Sequence, residues 1–314
     1  MAGKIIVIAG PTASGKTGLS IELAKMYDGE IVSADSMQVY RRMDIGTAKA
    51  SMQERSLVPH HMLDVAEPDE NYSVARYVEE ASLCCDDIIA RGKIPILTGG
   101  TGLYIDSLLS GRDFAESRAD SAVRDALEKE YDALGPEAMH ARLASVDPER
   151  AAKLGVGDRR RVLRALEVWM LTGQTITEHD RLSRLVPERY DAAFIVLNFA
   201  RRAMLYERID RRVDMMMQEG LEGEVRSLLA SGLSPDCTAM QAIGYKEMAE
   251  YVAGRLSLTQ AVELIKQSSR RYAKRQLTWF RRREGALWLN RENGQDMQSD
   301  RQLSSEFLRS RGIS

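Results

Sequence analysis

The stretch Gly10-Pro11-Thr12-Ala13-Ser14-Gly15-Lys16-Thr17 fits the pattern G-x-x-x-x-G-K-[ST], and it restricts what the flanking chain can become. Lys4 to Ala9 before it is a short apolar run that reads as a buried strand, while Leu19, Leu23, Met26 and Tyr27 after it recur at helical spacing. Strand, glycine loop and helix in that order make a phosphate cradle. Consecutive backbone N–H groups face an anion, Lys16 supplies a point charge, and the Thr17 hydroxyl can ligate Mg²⁺. A glycine turn beside a solvated lysine is the plain alternative, and the two flanks weigh against it.

Glu30 to Asp35 is a second strand candidate, ending in Asp35-Ser36-Met37-Gln38-Val39-Tyr40. In an open parallel sheet the carboxyl ends of the strands line the ligand crevice, so Asp35 is expected near the phosphate loop. There it can hold Mg²⁺ through water or accept a proton from a nucleophile; capping the next helix is the structural reading, and it excludes neither. Pro59-His60-His61 lacks the i, i+4 spacing of a two-histidine metal site. Ser73 to Arg91 reads as a helix capped at Ser73 and stopped at Gly92, with Cys84 and Cys85 on its buried face. Lys93 to Leu97 is the third strand, running into Thr98-Gly99-Gly100-Thr101-Gly102-Leu103-Tyr104. It lacks the aspartate that a motor ATPase places at a core strand end, which weakens the case for ATP hydrolysis. Glycines there permit close approach of a ligand, or simply a tight turn.

From Asp113 to about Pro187 the strand-helix rhythm stops, and helical patterns follow at Asp120 to Tyr131, Pro136 to Ser145 and Asp158 to Leu171. We expect a helical insertion domain over 113–187, set between a core of 1–112 and 188–314. Its last helix opens Asp158-Arg159-Arg160-Arg161-Val162-Leu163-Arg164, a basic end able to contact a polyanion or to form an ordinary solvated face. Glu178-His179-Asp180 reads as a polar loop. The chain returns to the core with a strand over Asp191 to Phe199 and a helix over Arg201 to Gln218, on which Arg208, Arg211 or Arg212 could reach the phosphate site. Met215 to Met217 read as core packing. Gly220 and Gly232 bracket a short helix, and Gln241 begins another. The fold class expected is α/β, a P-loop NTPase-like parallel-sheet core with an all-helical insertion and a helical C-terminal region.

The net charge of -2 is uninformative until its distribution is considered. The long helix expected over Ser257 to Arg283 holds eight basic residues and no acid from Lys266 to Arg283, among them Arg270, Lys274 and Arg275. Tyr272 and Trp279 share a face with them, a combination suited to a phosphate backbone and unstacked bases. Ala286 to Asn290 is a candidate final strand, and the polar tail beyond Arg291 carries no clear signal. No apolar run approaches the roughly 18 residues of a membrane span, so no membrane partner is expected. A strand begins directly after the N-terminus, with no leader pattern, and a cytoplasmic location is expected. Cys84, Cys85 and Cys237 offer no metal or disulfide framework.

Taken together, Gly10 to Thr17, Asp35 to Tyr40, Pro59 to His61, Gly99 to Tyr104, Gln241 to Lys246 and Tyr272 to Gln276 closely resemble the motifs of the tRNA dimethylallyltransferase (tRNA isopentenyltransferase) family, in its bacterial form and over residues 4 to about 290. The resemblance implies transfer of a dimethylallyl group from dimethylallyl diphosphate to N6 of the adenosine 3′-adjacent to the anticodon, in tRNAs reading codons that begin with U. The loop would then hold a diphosphate leaving group through the N–H groups of residues 12 to 17, Lys16 and a Mg²⁺ on Thr17, with Asp35 taking the amine proton. ATP, which such a loop pattern commonly suggests, is not the expected reacting substrate. The resemblance also assigns Asp35, Ser36, Met37, Gln38, Thr101, Arg124, Arg159 to Leu163 and Gln241, Ala242, Ile243, Gly244 and Tyr245 to tRNA, and Arg212 to the diphosphate. A monomer working on the anticodon stem-loop is expected. The rivals are a small-molecule kinase of nucleoside-kinase type, which leaves the basic helix without a purpose, and a nucleotide-regulated RNA-binding protein, which leaves Asp35 unexplained.

Overall fold

The computed structural model describes residues 2–110, 121–183, 185–292 and 297–314. The chain divides into two compact units, one of residues 1–109 with 190–314 and one of residues 110–189.

The first unit is an α/β layer structure. Its elements run β1 (Gly3–Ala9), α1 (Lys16–Met26), β2 (Gly29–Ser33), α2 (Met52–Leu57), β3 (His60–His61), α3 (Val74–Ala90), β4 (Ile94–Gly99) and α4 (Gly102–Leu109). After the second unit come β5 (Tyr190–Phe199), and the helices here numbered after those of that unit, α9 (Arg202–Glu219), α10 (Leu221–Ala230), α11 (Tyr245–Val252) and α12 (Leu258–Phe280), then β6 (Leu287–Arg291) and α13 (Met297–Ser310). Among the described residues the strands form one six-stranded sheet in the order β3-β2-β4-β1-β5-β6, and every pair is parallel. Parallel strands covered on both faces need continuous apolar runs, and Ile5 to Ala9 of β1 have no exposed surface. β4 lies between β2 and β1, so the sheet order reverses at β1, and the crevice beyond its carboxyl end is a ligand site by topology alone.

Several sequence expectations change. The expected third strand is the fourth in chain order, because His60 and His61 pair with Ile31 and Val32 as a short edge strand. The histidines serve that edge: Nδ1 of His60 lies 2.9 Å from the Val58 carbonyl, and Nε2 of His61 lies 2.8 Å from Glu30 Oε2. Of the methionine run only Met216 is buried, while Met215 is 50% exposed. The tail contributes to the main core through Leu308 of α13 and Ile313 just beyond it. Its Asp300 also forms a buried ion pair with Arg291.

The second unit consists of α5 (Ser121–Val146), α6 (Pro148–Ala151), α7 (Arg159–Thr172) and α8 (Ile176–Ser183). The two helices expected before and after Pro136 are both present within α5, which breaks between them at Gly135, whose φ of 84° and ψ of 170° are not helical. Asp113, the expected start of the insertion, and Asp120, the expected cap, lie outside the described residues. Glu178 to Asp180, expected as a loop, lie in α8. The Thr175 hydroxyl accepts the Glu178 N–H at 3.1 Å and restarts a helix right after the stop at Gly173. Val162 and Leu163 are fully buried in this unit's own core with Leu127, Met139 and Leu166, so they hold α7 in place and present no surface to tRNA.

Candidate active site

The loop between β1 and α1 forms one wall of a cavity of about 350 Å³. Gly10, with φ of 150°, has no room for a side chain, because a Cβ would lie 2.6 Å from the Leu197 carbonyl oxygen. Gly15 caps α1 in the left-handed region, and Ala13 takes φ of 62°, which costs a residue with a side chain. Two arginines hold that strained segment from its carbonyl side: Arg208 Nε donates to Ala13 O at 3.0 Å, and the Arg291 guanidinium donates to Ser14 O. With these carbonyls occupied, the loop can offer its N–H groups to an anion.

Not every N–H of residues 12 to 17 is available. Thr12 N–H donates to Gln276 Oε1 at 3.0 Å, and Ser14 N–H to Pro11 O at 3.3 Å. Among the described residues the groups left are those of Ala13, Gly15, Lys16 and Thr17, the last two in the first helical turn, where N–H groups lack intrahelical acceptors. Lys16 Nζ folds back on the Gly10 and Pro11 carbonyls at 3.0 and 2.9 Å. Burial, with the Arg212 guanidinium nearby, pushes its ammonium down to about 7 against the opposing pull of Asp35. A buried cation so weakened is a site short of negative charge.

Asp35 stands two residues beyond β2 and lines the same cavity. Its Oδ1 accepts the N–H groups of Met37 at 2.9 Å and Gln38 at 3.4 Å, which fixes a turn instead of capping a helix. Ser36, Met37 and Gln38 also line the cavity. The Ser36 N–H donates to Thr101 Oγ1 at 3.0 Å, and the Gln38 amide donates to the Thr47 and Ala48 carbonyls. Tyr272 faces the cavity from α12, and burial with the Asp35 charge pushes its hydroxyl up to about 12 against the opposing pull of Thr101 and Gln276.

Of the three candidate arginines Arg208, Arg211 and Arg212 on α9, Arg212 lines the cavity, and its buried Nε has no hydrogen-bond partner among the described residues. Arg208 braces the loop and Arg211 is exposed. The glycines ending β4 serve protein packing. A Cβ on Gly99 would lie 2.1 Å from the Ala34 carbonyl, one on Gly100 would meet Gln276, and one on Gly102 would meet the Trp279 ring.

Gln241, Ala242 and Ile243 complete a wall, and Gly244, with φ of 99°, opens α11. Tyr245 is fully buried and its hydroxyl bonds Glu224, so it supports the wall without offering a surface. Glu224 also accepts the N–H groups of Asp44, Ile45 and Gly46 and holds the loop whose residues 46–48 line the cavity. Neither Glu224 nor Arg291 carries a sequence signal. Gln276 does, as the last residue of the Tyr272 to Gln276 motif.

Helix α12 is less bare of acids than its own sequence. Asp210 of α9 pairs with Arg270 at 2.5 Å, and Asp214 with Lys266 at 2.7 Å. Trp279 is 36% exposed, and its indole N–H donates to Asp106 at 2.6 Å. The Trp279 indole is thus tied to a protein partner through its N–H, while Tyr272 lines the cavity. Arg271, Lys274, Arg275 and Arg282 line a shallow groove beside Trp279. In the second unit Arg124 pairs with Glu128 and Glu167, Arg159 with Asp132 and Arg161 with Asp158, while Arg160 is exposed.

A divalent cation at this site would have to be held without a protein cage, since no group of three or more His, Cys, Asp or Glu side chains could hold a metal among the described residues. Thr17 and Asp35 on the cavity wall supply oxygen donors of the kind Mg²⁺ accepts beside waters and phosphate oxygens, so the residues fit that ion. No helix among the described residues is long and apolar enough to cross a membrane.

Residues 38–283 match the family described as IPP transferase, and residues 3–62 match the one described as isopentenyl transferase. The chain is 51% identical over 286 residues to the tRNA dimethylallyltransferase of Exiguobacterium sp., covering 91% of this chain and 90% of that protein. It is 47% identical over 290 residues to that of Thermoanaerobacter sp., covering 92% of each. Among solved structures, the tRNA isopentenylpyrophosphate transferase of Bacillus halodurans superposes with a TM-score of 0.73 at 40% identity, covering 98% of both chains. A eukaryotic dimethylallyltransferase solved in snapshots of its action on tRNA superposes with a TM-score of 0.85 at 32% identity, covering 100% of this chain and 81% of that one.

Proposed function

Since this chain belongs to the tRNA dimethylallyltransferase family, we propose that it transfers a dimethylallyl group from dimethylallyl diphosphate to N6 of the adenosine 3′-adjacent to the anticodon, in tRNAs reading codons that begin with U. The observation that carries this reading is that the phosphate loop and the Asp35 to Gln38 turn line one cavity. A leaving diphosphate and an acceptor amine can meet there.

Breaking the allylic C–O bond places negative charge on the diphosphate. The N–H groups of Ala13, Gly15, Lys16 and Thr17, the Lys16 ammonium and the Arg212 Nε, unpartnered among the described residues, are the donors for it. Mg²⁺, held by Thr17 and phosphate oxygens, would supply further positive charge to the leaving group. The adenine amine is a weak nucleophile because its lone pair is delocalised into the ring. Asp35, with one oxygen fixed by the turn, orients that amine and takes its proton as the C–N bond forms. The base must leave the anticodon loop's stack to reach this point, with Ser36 to Gln38 and Thr101 around it. We assign further tRNA contacts to Lys274 and Arg275 of α12 and to Arg124 and Arg159 to Arg161 of the insertion. A tRNA acceptor supports a cytoplasmic location.

Incubation with labelled dimethylallyl diphosphate, labelled ATP and unmodified tRNA in parallel tests the reading. Label from the allylic donor is expected on tRNA. Phosphate transfer from ATP instead would identify a kinase, and binding without turnover would identify a regulated RNA-binding protein.

A further inference from the structure

Helices α9 and α12 form one side of the cavity and run antiparallel, as their ion pairs show: Asp210 meets Arg270, and four residues further along α9, Asp214 meets Lys266, four residues back along α12. Both helices bring polar side chains to the phosphate loop. On α9 these are Arg208, bonded to Ala13, and Arg212; on α12 it is Gln276, bonded to Thr12. The cavity face of α9 runs Ile209, Arg212, Val213, Met216 and that of α12 Gln276, Arg275, Tyr272, Ser269, Ile265, so the ends of both helices away from the loop are apolar. Ile243 joins them. At about 1.5 Å per residue, Met216 lies roughly 6 Å along α9 from Arg212, and Ile265 roughly 16 Å along α12 from Gln276. The wall is thus graded, anionic ligand at one end and hydrocarbon at the other.

We propose that Met216 and Ile265 form the end wall of the allylic tail pocket and limit the donor to a single five-carbon unit. This rests on the dimethylallyl reading above. The acceptor base takes the polar side, where Asp35, Gln38 and Thr101 stand, so the hydrocarbon tail is left the apolar side. A dimethylallyl group spans about 4 Å from its first carbon to its far methyl carbons, plus a methyl radius of roughly 2 Å, which matches the run from Arg212 to Met216. A second isoprene unit adds about 5 Å and meets the Met216 side chain, which is 8% exposed, and Ile265, which is 1% exposed. Met216 fits the task because an unbranched thioether fills an irregular end wall.

Shortening the wall should admit a ten-carbon allylic diphosphate. In that reaction the C1–O bond of geranyl diphosphate breaks, the N6–C1 bond forms, the amine proton passes to Asp35, and diphosphate leaves. The test measures kcat/KM for geranyl and for dimethylallyl diphosphate with unmodified tRNA, in the unaltered protein, Met216→Ala and Ile265→Ala, with inorganic diphosphate binding as the check that each variant is folded. The ratio of geranyl to dimethylallyl is expected to rise about tenfold or more in at least one variant, the size that hydrocarbon discrimination in a pocket commonly reaches. An unchanged ratio in both folded variants would overturn the end wall. Absence of dimethylallyl transfer by the unaltered protein would instead overturn the reading it rests on. If Met216→Ala does not bind diphosphate, Ile243→Ala, which also lines the cavity, takes its place, with the same ratio expected to rise and the same null result overturning the proposal.

Discussion

The phosphate loop and helix α12 meet in one cavity, yet they are specified in opposite ways. Eight consecutive residues make the loop, and its glycines, lysine and threonine do what their spacing implies. Helix α12 spreads its contributions over three turns, with Ile265, Tyr272, Arg275 and Gln276 all lining the cavity, and its charge depends on a neighbour. Asp210 and Asp214 of α9 take up Arg270 and Lys266, so a helix segment without an acid of its own is partly neutralised in the fold. A contiguous motif carries its chemistry with it. A helix face carries chemistry only after packing has decided which side chains are already spent.

The sharpest way to break this contrast is at the loop-side carboxylate. Asp35→Ala is expected to lower turnover by about 10² to 10⁴, the usual size of a general-base effect, with dimethylallyl diphosphate binding largely kept. Single-turnover transfer to tRNA measures it. Near-normal turnover would remove Asp35 from the chemistry and leave only its turn-forming role with Met37 and Gln38.

The second test addresses the joint between the two regions. Gln276 bridges Thr12 N–H and the Gly100 carbonyl, both near 3.0 Å, and it is 5% exposed. Gln276→Leu leaves both groups without a partner, at a cost of about 1 to 3 kcal/mol for each that stays dry. The expected signature is a raised KM for the allylic donor together with a lowered melting temperature. A lower melting temperature with unchanged donor KM would make Gln276 a structural residue only.

Much of this was legible beforehand, and the failures have a common cause. The strands, the loop and Asp35 depend on local pattern: apolar runs, glycine spacing and a position just beyond a strand end. The edge strand at His60 and His61 is two residues long, below any periodicity, and exists because β2 offers it hydrogen bonds. Glu224 accepts three N–H groups from a loop 178 to 180 residues away in sequence. Nothing near Glu224 announces that. Arg291 sits in a stretch that reads as an ordinary strand end, and its hold on Ser14 appears only when β6 docks beside β5. Tyr272 and Trp279 are seven residues apart on one helix, but packing gives them different surroundings: Tyr272 lines the cavity, while Trp279 bonds Asp106 and lines the groove with Lys274 and Arg275.

Lys16 offers a smaller test that belongs to the loop alone. Burial and Arg212 hold its ammonium at about 7 in the ligand-free cavity, and a bound diphosphate, being anionic, must raise it. Between the two values binding takes up one proton. Affinity for dimethylallyl diphosphate should therefore be level below about pH 7 and fall up to tenfold per unit above it. Isothermal titration in buffers of different ionisation enthalpy reads the proton directly. Lys16→Arg, charged throughout this range, should flatten the profile, and a flat profile in the unaltered protein would mean that Lys16 does not face the diphosphate.

The smallest effects, and the ones that most sharpen the contrast, are expected on α12. If its basic residues acted by number, neutralising any of them would weaken tRNA binding equally. Their partners say otherwise. Arg270 is held by Asp210, whereas Lys274 and Arg275 line the groove beside Trp279. Lys274→Gln and Arg275→Gln should each weaken tRNA binding and reduce the slope of log affinity against log salt by about 0.7 to 0.9, the value for one phosphate contact. Arg270→Gln should leave that slope unchanged, because its charge is already balanced, and should act only through the helix pair it joins. Filter binding of unmodified tRNA across a salt series distinguishes the three. Equal slope changes for Arg270 and Arg275 would mean that α9 does not screen α12, and the charge of the helix could then be counted from its sequence after all.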